Sequence, residues 1–95
     1  MRFISLLLIL VLIVPIFAMA QGTPSDDRIY DAVRRKLADD PDVKGAGFNV
    51  TVKNGAVTLL GRVHDAPARE KATRLVKKVK GVTGVDNKLK LFSDN

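Results

Sequence analysis

Phe48-Asn49-Val50-Thr51-Val52-Lys53-Asn54-Gly55-Ala56-Val57-Thr58-Leu59-Leu60-Gly61-Arg62-Val63 is the stretch that decides the fold. Phe48, Val50 and Val52 alternate with Asn49, Thr51 and Lys53. Beyond Asn54-Gly55, Val57, Leu59, Gly61 and Val63 alternate with Thr58, Leu60 and Arg62. Period two is the spacing of strands with one buried face. Asn-Gly suits the positive φ angles of a type I′ turn, whose twist matches that of the strands it joins. The stretch predicts a β-hairpin.

Working outward, the period changes to that of helices. Upstream, Ile29, Val33 and Leu37 recur every four residues with Ala32 beside them, and Ser25 or Asp26 stands where a cap belongs. A first helix is expected over about 26–38, with Asp26 and Asp27 as negative charge in its first turn. Asp39-Asp40-Pro41-Asp42 ends it, because Pro41 has no N–H to donate and pushes the residue before it out of helical geometry. Downstream, Asp65 is placed to cap a second helix over about 66–80, with Pro67 in its first turn and Ala68, Ala72, Leu75, Val76 and Val79 on one side. Gly81 suits its left-handed end, and Lys77, Lys78 and Lys80 complement the negative end of the dipole. Val85, Asn87, Leu89 and Leu91 then share one parity of a last strand.

The order α-β-β-α-β defines an α+β two-layer sandwich, a three-stranded mixed sheet packed on two helices. Its strand-helix-strand unit crosses over right-handedly, which makes the last strand parallel to one member of the hairpin. Phe48, Val50, Val52, Val57, Leu59, Val63, Val85, Leu89 and Leu91 are expected to face Ile29, Val33, Leu37, Leu75, Val76 and Val79. Asn87 breaks the pattern by sharing the apolar parity. Hydrogen bonding to turn backbone, or a bulge, accounts for it more simply than a ligand does.

Residues 1–20 read as a signal peptide: Met1-Arg2, an apolar run from Phe3 to Phe17, and the small-x-small site Ala18-Met19-Ala20. The chain after cleavage would begin near Gln21 and act in the periplasm, with 21–25 a polar linker, 26–92 the domain and 93–95 a tail. The alternative is an uncleaved membrane anchor, since the apolar run approaches the ~17–25 residues a spanning helix needs. With no Cys, disulfides cannot stabilise the domain. Residues 21–60 hold six basic and six acidic side chains, whereas 61–95 hold nine and four, so the excess positive charge lies in the second half. An anionic partner is expected to meet that half.

Asn54-Gly55-Ala56-Val57-Thr58-Leu59-Leu60-Gly61-Arg62-Val63, then Arg69 and Ala72, then Val79-Lys80-Gly81-Val82-Thr83-Gly84-Val85-Asp86-Asn87-Lys88-Leu89 resemble the BON domain family of bacterial osmotically inducible and nodulation proteins. The resemblance extends over Asp26 to Leu91 in a single copy. It implies the same α-β-β-α-β order, an exported envelope protein, and binding to phospholipid surfaces or support of envelope integrity under osmotic stress.

The glycines have structural readings: Gly55 for the turn, Gly61 for close approach of a helix to the sheet, Gly81 for the helix end and Gly84 for the bend into the last strand. Gly81-Val82-Thr83-Gly84 spells the G-x-x-G of KH nucleic-acid domains, but the residues after it alternate as a strand and leave no second helix, so no nucleic acid is expected. One His and no Cys give no metal site, no cofactor is implied, and Ser25 and Ser93 lack a nucleophile context. Asp26, Asp27, Asp31, Asp39, Asp40 and Asp42 read as helix-start charges and a solvated turn. His64 reads as a strand-end residue. These features point to a non-enzyme. The candidate surface is the second helix, where Arg69, Lys71, Arg74, Lys77 and Lys78 oppose Glu70 alone and suit anionic phospholipid headgroups. A soluble, stress-induced module that contacts an envelope protein partner, or acts like a chaperone, is the alternative.

Overall fold

Asn54 and Gly55 both take positive φ, 52° and 82°, and the strands they join pair antiparallel from Lys53 opposite Ala56 to Asn49 opposite Leu60. The turn chemistry and the register agree, as a two-residue hairpin requires. The computed structural model describes residues 24–94, so the expected signal peptide lies outside the described residues. Their elements are α1 (Pro24–Asp39), a single 3-10 turn (Gly45–Gly47), β1 (Asn49–Lys53), β2 (Ala56–Leu60), β3 (Arg62–Val63), α2 (Ala66–Lys77), β4 (Gly84–Asn87) and β5 (Lys90–Leu91). The fold is α+β, two helices against a mixed sheet.

In that sheet β2 is central, antiparallel to β1 and parallel to β4, while β3 pairs parallel with β5. The two pieces form one continuous ladder. Lys88 N donates to Leu59 O, Lys90 N to Gly61 O and Phe92 N to Val63 O, at 2.9–3.0 Å, so β3 and β5 prolong β2 and β4 past a kink. The kink is at Gly61, φ 145°, where a Cβ would come within 2.9 Å of the Phe48 ring. The close approach expected of a helix is made instead by Phe48, the residue before β1. Asn87 makes the matching kink in the neighbouring strand. Its Nδ2 donates to Arg69 O (2.8 Å) and Thr73 Oγ1 (2.7 Å) on α2, and its Oδ1 accepts from Leu89 N (3.0 Å). The Asn is thus satisfied by helix backbone and Thr73.

α2 is shorter than expected. It ends at Lys77 because Lys78 and Val79 donate back to Leu75 and Val76, i→i−3 bonds that tighten the exit toward β4; Gly81, φ 97°, follows later. At the other end Asp65 accepts from Ala68 N at 2.9 Å, the expected cap. Gly84 needs no glycine for space, since a Cβ there would meet nothing within 4 Å.

Val33, Leu37, Val57, Leu59, Val63 and Val76 are fully buried between the layers, each contributing ~1.5–3 kcal/mol by leaving water. Val52, Leu75, Val79, Val85 and Leu91 are only partly buried around them. Val43 is an unexpected core member. It lies in a segment read as a solvated turn, but Asp40 Oδ1 accepts from Asp42 N (2.9 Å) and Val43 N (3.1 Å), folding the chain back so that Val43 enters the core. Arg34 fixes the next segment, its guanidinium donating to the carbonyls of Phe48 and Ala46 while stacked over Tyr30.

Asp26 is the largest departure from the sequence reading. It does lie in the first turn of α1, as expected, but is only 8% exposed and accepts from Asn54 N through Oδ2 and from Gly55 N through Oδ1, both at 2.9 Å. From the other side Thr83 N donates to Gly55 O (2.9 Å) and Thr83 Oγ1 to Asn54 O (3.3 Å). The hairpin turn is therefore a clasp that joins the start of α1 to the entrance of β4.

Candidate functional site

A helix surface divides at 100° per residue, and the contacts of α2 show where. Ala68, Ala72 and Val76 are buried. On one flank Arg69 O and Thr73 receive Asn87 from the sheet edge; on the other Lys71 reaches the chain after α1. Arg74, Lys77 and Lys78 are exposed between and beside these flanks, with Glu70. Of the five candidate cations, Lys71 is engaged by carboxylates, whereas Arg74, Lys77 and Lys78 are exposed.

Lys71 Nζ lies 3.0 Å from Asp40 Oδ2 and 2.6 Å from Asp42 Oδ2, so it ties α2 to the turn after α1. Partial burial pushes the Asp40 carboxyl upward, but the Lys71 ammonium and the N–H groups of Val43 and Asp42 outweigh it and hold the carboxyl below its usual range. Hydrogen bonds to Asp42 and Asp40 raise Lys71 above its ordinary value, against partial desolvation. The Asp40 contribution to stability is present above its ordinary 3.8 and is lost as pH falls through the lower native value. That of Lys71 is present below 10.5 and lost as pH rises through the raised value. Lys71→Met is expected to lower the melting temperature by a few degrees at neutral pH, with the gap to wild type closing in acid. A gap that persists unchanged in acid would assign the loss to packing of the lysine stem.

Beside this tie lies an open groove of about 570 Å³ between the C-terminal halves of the helices. Ala32, Leu75 and Val79 supply apolar lining, with Arg35, Lys36 and Lys80 around them and Asp39, Asp40 and Pro41 at the turn. Arg35 and Lys36 were not among the sequence candidates, although they follow Ala32 at i+3 and i+4 and so share its side of α1. A second hollow, of about 600 Å³, lies by Asp42, Lys44, His64, Asp65, Lys71 and Arg74, three cations and a histidine against two carboxylates.

The sheet face away from the helices carries Lys53, Leu60, Arg62, Lys88 and Lys90, all exposed. His64, at the end of β3, lies 5.5 Å from the Phe92 ring. Gly81 to Gly84 lead directly into β4, as a strand entrance and not a clamp between helices. Among the described residues no group of three or more His, Cys, Asp or Glu is placed to hold a metal ion. No helix among them is long and apolar enough to cross a membrane.

The family model of the BON domain matches residues 25–91. The chain belongs to the BON domain family, which is found in osmotic-stress and envelope-associated proteins and is generally non-catalytic. A search of curated proteins finds no match.

Proposed function

We propose that this is a non-catalytic periplasmic protein that docks on anionic phospholipid through its helix layer and so supports the envelope under osmotic stress. The observation that carries this reading is the set of exposed cations on the helix layer: Arg74, Lys77 and Lys78 along and just past α2, and Arg35, Lys36 and Lys80 at the groove lined by Ala32, Leu75 and Val79, where they outnumber Asp39 and Asp40. Each cation near a charged bilayer adds ~1 kcal/mol, so a handful gives weak, reversible attachment. The apolar run before Ala18-Met19-Ala20 supports export.

Arg74→Glu, Lys77→Glu and Lys78→Glu together are expected to reduce flotation with phosphatidylglycerol vesicles at least tenfold while the melting temperature is kept. Lys71 is left intact because its carboxylate partners make it structural. Binding of wild type should also weaken as salt shortens the Debye length from ~10 Å at 0.1 M to ~3 Å at 1 M. A wild-type protein that ignores these vesicles at low salt would sink the lipid reading and favour a protein partner.

A further inference from the structure

We propose that the open sheet face is a second contact for anionic bilayer, so that one domain bridges two membrane surfaces. The inference rests on the helix-layer reading above. The helices cover only one side of the sheet, and the exposed charges on the other are Lys53, Arg62, Lys88 and Lys90 against Asp86 and Asp94. Lys88 and Asp86 are paired loosely, at 3.7 Å with both side chains more than half exposed. Arg62 donates to the carbonyls of Leu91 (3.1 Å) and Asp94 (2.9 Å), which orient its guanidinium; the Asp94 carboxylate, accepting from Leu91 N, lies beside it, so four cations stand against two acids, Asp86 and Asp94. The strip is thus net positive, independently of α2.

It also carries what an interfacial surface needs beside charge. Leu60 and Phe92 are 43% and 61% exposed and flank the Arg62–Lys90 pair along the two adjoining strands. Apolar side chains beside cations suit the boundary between headgroups and acyl chains. The helix layer and the sheet lie between the two basic surfaces, so the surfaces point to opposite sides of the domain. Charge complementarity on both sides defines a bridge.

The test uses vesicles of phosphatidylglycerol and phosphatidylcholine, with light scattering for clustering and flotation for binding. Wild type is expected to cluster vesicles at low salt. Lys53→Glu, Lys88→Glu and Lys90→Glu together should cut clustering at least tenfold while the protein still floats with vesicles and melts as wild type does. Binding by wild type without clustering would overturn the bridge and leave the sheet face to an acidic protein. Clustering that survives the three sheet-face changes would overturn it too, because pairing of bound protein would then be the cause. Loss of flotation by wild type removes the helix-layer reading and the bridge together, a result distinct from both.

Discussion

Asp26→Ala is expected to cost about 3 kcal/mol, because hydrogen bonds to a charged acceptor contribute more than neutral ones and buried donors are left unmatched. The melting temperature of so small a domain should fall by about 10–20 °C. Asn54 N and Gly55 N lose the carboxylate that accepts them at 2.9 Å, in a site almost closed to water. Asp26→Asn, which keeps one oxygen acceptor, should lie between the alanine variant and wild type. If Asp26→Ala melted within a degree or two of wild type, the clasp would be a minor contact.

Gly55→Val should be damaging for a different reason. At φ 82° a β-branched residue is strained, and its Cβ would come within 2.6 Å of the Gly81 carbonyl oxygen, a backbone atom that cannot move without shifting the entrance to β4. A loss of about 2–4 kcal/mol is expected, in the range of strain combined with overpacking. Vesicle binding at temperatures where the variant is folded should be unchanged, since no candidate cation is touched. Thermal melts beside flotation separate the two effects; a wild-type melt would contradict the close carbonyl contact.

Both predictions come from a node that the sequence revealed only in part. Asn54-Gly55 and the alternation around it were legible because turn type and strand period are local properties. Asp26 as the acceptor for that turn was not, since a helix-start carboxylate looks the same whether it faces water or a hairpin brought back from 28 residues away. Val43 was missed for a related reason. One apolar residue between Asp42 and Lys44 has no period, and only the turn made by Asp40 sends it inward. For the candidate site, spacing located the cations of α2, but Lys71 drew its role from Asp40 and Asp42 across a tertiary contact. Leu60 and Phe92 lie on the outward parity of the strands, so their exposure was readable; their company beside Arg62 and Lys90 depended on the parallel register.

The clasp also sets when the domain can become stable. Its three parts are Asp26, the turn at Asn54-Gly55 and Thr83, spread over most of the folded chain. Distant contacts of this kind form only after the intervening chain is available. A polypeptide emerging N-terminus first, from a ribosome or through a narrow channel, has α1 and the hairpin in hand yet lacks the last part of the clasp until Thr83 has followed. Until Thr83 has emerged the turn lacks the hydrogen bonds that fasten it to the entrance of β4, so this lock is set late, shortly before the last two strands complete the sheet.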